Sequence, residues 1–219
     1  MVKEKLQAHC LLGSKCGNLS RPVVTALPGF MVQYKNPVTI LCQGPAQAEA
    51  YKIYKVGSLK SRDRLKSLVP RKDNSLTITE ITADCTGLYQ CSYHSSGLLS
   101  ELSDPLQLVM IGVYDKPSLS SLASGDNVKL QHFSRFKFNV FFLIKEDGVH
   151  AIQKQHLTSQ GNGLQVAFHM DHVTSTQTGT YRCYGAFHNY LYVWSHPSDR
   201  LHLLVKGEEA HPTPCPSCG

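Results

Sequence analysis

At 219 residues, with 42% hydrophobic and 9% aromatic content, the chain has room for one large domain or two small ones, and too much apolar material for global disorder. A formal charge of +6 does not by itself define a polyanion binder, and no apolar run approaches the ~18–20 residues of a membrane span. Eight cysteines point to an oxidising compartment, although cysteine count alone also fits metal proteins.

In chain order, residues 1–20 read as an unstructured leader. It holds Lys3, Glu4, Lys5 and Lys15 and lacks the ~7–15-residue apolar core of a signal peptide. Asn18-Leu19-Ser20 is a glycosylation sequon, useful only on an exported chain, which makes Asn18 the candidate acceptor. Strand patterns are predicted over 37–42, 50–56, 75–81, 88–93 and 106–110, and again over 127–132, 140–145, 164–170, 180–185 and 201–205. Short strands between polar turns at ~8–12-residue spacing predict all-β sandwiches with almost no helix. The connection 112–116 has no Gly/Ser run, so a short, fairly fixed elbow is expected there. Residues 208–219, rich in proline, resemble a stalk.

Internal repetition sets the domain count. Gly87-Leu88-Tyr89-Gln90-Cys91 returns as Gly179-Thr180-Tyr181-Arg182-Cys183, about one immunoglobulin-domain length later. Each copy is followed by a serine-bearing motif, Leu99-Ser100-Glu101-Leu102-Ser103-Asp104 and then Trp194-Ser195-His196-Pro197-Ser198-Asp199. A Gly-x-Tyr-x-Cys run opens strand F of an immunoglobulin sandwich, where the Tyr bonds back to the backbone and the Cys points inward. Two tandem immunoglobulin-like domains are expected, over 21–111 and 112–207. Trp194 and Ser195 fit the bulged start of the last strand, in a structural role.

Catalytic signatures are missing: the sequence has no P-loop, GxGxxG, HExxH or GxSxG motif, so neither an enzyme nor a cofactor is expected. The basic run between Lys52 and Lys72 has only Tyr54 interleaved, unlike a nucleic-acid surface. It reads as a solvated sandwich edge or a patch for an acidic partner.

Four segments carry a closer resemblance, covering roughly 21–207: Pro37-Val38-Thr39-Ile40-Leu41-Cys42-Gln43-Gly44, Tyr114-Asp115-Lys116-Pro117-Ser118-Leu119-Ser120, Phe142-Leu143-Ile144-Lys145-Glu146 and the Trp194–Asp199 motif. They resemble the leukocyte receptor group, the killer-cell and leukocyte immunoglobulin-like receptors and their relatives. The resemblance implies a two-domain ectodomain at the plasma membrane or outside the cell that recognises a protein ligand, class I MHC among the candidates. The family's ligand-contact positions fall on Ser58 and Leu59, on Asn139, and on Asn189 and Val193. The carboxylates expected at the last three are replaced by neutral side chains, which removes charge-assisted bonds to a basic ligand. A matrix protein such as collagen therefore competes as the ligand, and a non-signalling product with an impaired second domain is the alternative.

The same resemblance places a disulfide between Cys42 and Cys91. In the second domain the spacing Val38–Cys42 is matched by Val128–His132, so Cys183 loses its partner and that half is expected to be the less stable. Cys85 occupies the usual Asp position before strand F and reads as an idle thiol. It, Cys215 and Cys218 are candidates for interchain disulfides, whereas Cys10 and Cys16 lie too far from Cys215-Pro216-Ser217-Cys218 for a compact zinc knuckle.

Overall fold

Alternation of buried and open positions along Val38–Gln43 places Val38, Ile40 and Cys42 inward and leaves the intervening residues on the other face, the period-2 signature of a half-buried strand. The computed structural model describes residues 19–56, 65–71, 73–124, 127–146, 153–156 and 165–204. Ser58, Leu59, Asn18, Cys10, Cys16, Cys215 and Cys218 lie outside the described residues. The described chain is built of strands with three short 3-10 turns, and it divides into two units.

The first unit comprises 1–114 together with 189–195. Its strands are β1 (Val23–Leu27), β2 (Met31–Gln33), β3 (Val38–Gln43), β4 (Ala50–Val56), β5 (Leu65–Arg71), β6 (Ser75–Ile78), β7 (Gly87–Ser95), β8 (Leu98–Leu99) and β9 (Leu106–Ile111). One sheet has the order β1-β3-β6; the other runs β2-β9-β7-β4-β5, with β8 beside β7. Between β1 and β2 the chain changes sheet at Leu27-Pro28, whose peptide bond is cis, and β2 then runs parallel to β9. Cys42 on β3 and Cys91 on β7 are bonded across the two sheets, with Cα atoms 6.0 Å apart. Around them pack Val38, Ile40, Ile53, Tyr89, Leu108 and Met110, each large apolar side chain contributing roughly 1.5–3 kcal/mol on burial.

The second unit comprises 115–188 and 196–219. Its strands are β10 (Ser118–Ser124), β11 (Asn127–Phe133), β12 (Val140–Lys145), β13 (Gln153–His156), β14 (Gln165–Met170), β15 (Gly179–Ala186) and β16 (Leu201–Leu203). They form sheets ordered β10-β11-β14 and β13-β12-β15-β16. On β11 the buried positions are Val128, Leu130 and His132, matching Val38, Ile40 and Cys42 on β3. Phe138, Phe141, Leu143, Phe168 and Tyr181 fill the interior.

Both Tyr positions of the repeated motif bond backwards. Tyr89 Oη donates to the Cys85 carbonyl and Tyr181 Oη to the Gln177 carbonyl, each at 2.6 Å. The strands β1, β2, β5, β8, β10 and β13 lie outside the sequence expectations: β2 and β8 are very short, β10 and β13 are polar, β5 contains a Pro, and β1 carries no alternation that marks it.

Candidate functional site

The serine-bearing motifs bond to strand F at the level of its cysteine. Ser198 Oγ accepts the Cys183 N–H at 3.0 Å and donates to the Asp199 carbonyl at 2.9 Å, while the Ser198 N–H donates to the Cys183 carbonyl at 3.1 Å. Ser103 does the same around Cys91, with 3.0, 2.9 and 2.8 Å for the corresponding bonds. A hydroxyl thus stands in for a strand carbonyl where the chain bulges. Ser198→Ala strands the buried Cys183 N–H and is expected to destabilise the second unit by about 1–3 kcal/mol, measured by urea unfolding; an unchanged midpoint would show that water replaces the hydroxyl.

The segment Asn189–Ser195 follows β15 in sequence but belongs to the first unit. Met110 N–H donates to the Tyr192 carbonyl at 2.9 Å, and Trp194 N–H returns to the Met110 carbonyl at 2.8 Å, forming a parallel bridge between Met110 and Val193. Gly112 N–H reaches the Ser195 carbonyl at 3.3 Å. Glycine is favoured at that position because its φ is +86°, and a Cβ there would also have to displace the Gln33 amide 2.0 Å away. Trp194 is fully buried (0% exposed), and its indole N–H donates to the Leu191 carbonyl at 2.8 Å. Val193 N–H closes a turn on the Tyr190 carbonyl at 3.0 Å.

This anchoring leaves one face outward. Tyr190 is 56% exposed and Val113 39%, with Asn189 exposed in the 3-10 turn His188–Tyr190. Burial first, and the neighbouring Tyr190 second, push the Tyr114 phenol up from its ordinary value. Val193 lies inward: it is 4% exposed and packs in the first unit's core with Val32 and Met110. Asn139 lies in the second unit, half-buried, where its N–H donates to the Ala186 carbonyl at 3.1 Å and its Oδ1 accepts the His188 N–H at 3.4 Å. Neither Tyr190 nor Val113 is singled out by the sequence alone, although aromatic residues are enriched at protein interfaces.

An open groove of about 580 Å³ in the second unit is bordered by Lys116, Phe133, Arg135 and His196. Asp115 lies in the same border, and Lys116 is bound to Asp199 at 2.9 and 3.0 Å, so the groove selects neither sign of charge.

His132 and Cys183 meet in the second unit's core where the first unit has its disulfide. Nδ1 and Sγ are 2.8 Å apart, and both residues are fully buried. Cys183 is unbonded covalently, and desolvation pushes its thiol up to about 12. Desolvation likewise pushes the His132 imidazole down to about 3, so it is neutral. Among the described residues, His132 Nε2 has no hydrogen-bond partner. Two neutral groups without a water-accessible face cannot form a nucleophilic pair. Cys85 is also a free thiol, half-buried, with Thr82 Oγ1 at 3.3 Å. No group of three or more His, Cys, Asp and Glu among the described residues is placed to hold a metal, and none of their helices is long and apolar enough to cross a membrane.

Comparison with known proteins agrees with this architecture. Immunoglobulin-domain models match residues 21–110 and 118–196. The chain is 40% identical over 210 residues to human leukocyte immunoglobulin-like receptor subfamily B member 4, covering 93% of this chain and 46% of that protein. It is 35% identical over 195 residues to rat natural cytotoxicity triggering receptor 1, covering 87% of this chain and 58% of that one. The chain thus spans about half the length of these relatives. Among solved structures, the human OSCAR ligand-binding domain matches at 26% identity with a TM-score of 0.43, covering 85% of this chain and 100% of that one. Both the human and the rat relative are named as receptors. The chain belongs to the immunoglobulin superfamily, and its two domains are of the leukocyte immunoglobulin-like receptor type.

Proposed function

We propose that this chain is the ligand-recognition part of a leukocyte immune receptor, displayed at the cell surface or exported, and that it engages a protein ligand through Tyr190, Asn189 and Val113. The observation that carries this reading is the anchoring of Asn189–Ser195 on β9, which holds an exposed Tyr in a fixed backbone. A preordered aromatic contact loses little entropy on binding, and tyrosine is enriched at protein interfaces for that reason. Further contacts at Ser58, Leu59 and Asn139 follow from the family resemblance. Cys85 offers a route to an interchain disulfide in the same assembly.

Class I MHC is the ligand to test first, with a matrix protein as the competitor. Asn139 and Asn189 present no charge to a basic ligand surface. Asn139→Asp with Asn189→Asp is therefore expected to tighten binding to class I molecules, through charge pairs whose coupling at interfaces runs about 1.5–7 kcal/mol. An acidic ligand gives the opposite result: weaker binding and a flatter salt dependence, since surface charges are screened within about 10 Å at 0.1 M salt. Surface plasmon resonance of both forms against a class I panel, at two salt concentrations, separates the two. Weak binding is expected for the natural sequence, and none by either folded form removes class I MHC as the ligand. The absence of a disulfide at Cys183 favours the alternative, a non-signalling product with an impaired second domain. Surface staining or secretion assays on expressing cells decide between that and a displayed receptor.

A further inference from the structure

We propose that the second unit is an acid-labile module, opened by protonation of His132 once it leaves the core, beside a first unit that a disulfide holds closed. The geometry makes the device. His132 sits on β11, the central strand of its sheet, opposite Leu119 of β10 and Val166 of β14. From the facing sheet, β15 contributes the Cys183 thiol at 2.8 Å and β12 the Phe141 ring, edge-on with centroids 4.5 Å apart. The Ser118 carbonyl of β10 lies 3.9 Å from the same sulfur. Cys183 is the one titratable group among these neighbours, and as a neutral thiol it supplies no counter-charge to an imidazolium. Among the described residues no carboxylate faces the ring, and Nε2 has no partner to receive a second proton's charge. A buried cation with neither counter-ion nor water is costly, so the ring charges only by leaving the interior.

The sign follows from linkage. The unfolded chain takes up a proton on His132 near pH 6.5, whereas the folded chain does so only near pH 3, because desolvation holds the ring neutral. The contribution to stability is complete above pH 6.5 and falls progressively between 6.5 and about 3. Between pH 7 and pH 5 the ratio of open to closed second unit should rise about 25-fold from this group. The thiol sets the opposite limit: its raised value favours the folded state below the ordinary range near 9, and that advantage is lost as pH rises towards 12. The first unit has Cys42–Cys91 at the matching place and no such group. Strand β15, which carries Cys183, continues through Phe187 and His188 directly into Asn189–Ser195. Release of a ligand from that segment on acidification rests on the recognition role proposed above; opening of the second unit does not.

The test reads Cys183 itself, in the full chain. Labelling by 4,4′-dithiodipyridine is followed at pH 7, 6 and 5 by peptide mapping, each rate divided by that of the urea-unfolded chain at the same pH. The normalised rate is expected to rise about 25-fold from pH 7 to pH 5, and to stay flat in His132→Leu, which keeps the thiol and removes the ring. A flat profile for the natural sequence, or an equal rise in His132→Leu, overturns the proposal. If His132→Leu does not fold, histidine-labelled NMR of the natural chain decides. The His132 ring should remain neutral in the folded state at pH 5 and titrate only in the unfolded population; an ordinary midpoint in the folded state overturns the proposal.

Discussion

His132→Cys raises the thermal midpoint of the second unit by on the order of 10 °C under oxidising conditions, the value expected when roughly 2–4 kcal/mol is added to a domain of about 100 residues. Position 132 occupies the place on β11 that Cys42 occupies on β3, and its side chain already touches Cys183 Sγ. The closed loop spans 51 positions against 49 for Cys42–Cys91, and chain entropy for a loop of that size corresponds to about 4 kcal/mol. Losing the unpartnered Nε2 adds about 1–3 kcal/mol. The sulfur fills less space than the imidazole, and the void offsets on the order of 1 kcal/mol. Calorimetry with and without reductant checks the result. The gain should vanish on reduction, and a midpoint that does not move under oxidising conditions would mean that the two side chains cannot reach disulfide geometry.

The repeat made most of the fold legible. A Tyr and a Cys two residues apart must both point inward from one strand, and that requirement fixes strand F in each unit. Val38–Cys42 and Val128–His132 then fix strand B by the same period of two, which makes the unpaired Cys183 legible in the sequence alone. The remaining strands, β1, β2, β5, β8, β10 and β13, take their pairing from neighbours. Sequence periodicity carries no record of that. The placement of the segment after β15 was half legible. Asn189 lies on an exposed turn, whereas Val193 is drawn into the first unit's core, with a backbone bridge to Met110. Loop position along the chain says nothing about which core a side chain joins, and Val193 is apolar enough to have raised the question.

Trp194→Ala should be the most damaging single change in the first unit, because one ring secures both its packing and the candidate recognition face. The side chain is fully buried, and truncating such a residue costs about 3–5 kcal/mol. It also leaves the Leu191 carbonyl without its indole donor, a further ~1 kcal/mol. With the anchor gone, the two backbone bonds to Met110 no longer hold Asn189–Tyr192 in a fixed turn, so ligand affinity should fall further than any exposed substitution reduces it. Tyr190→Ala separates the two effects: it should weaken binding by about 1–3 kcal/mol as an interface tyrosine does, while leaving the first unit's stability unchanged within about 0.5 kcal/mol. Amide exchange across 189–195 and the first unit's melting point, measured on both variants, check the stability side. Trp194 is also the only tryptophan of the chain, so its fluorescence reports the natural segment directly: blue-shifted while buried, red-shifted when the anchor opens. Normal exchange and an unchanged melting point in Trp194→Ala would show that the backbone bridge to β9 holds the segment without its tryptophan.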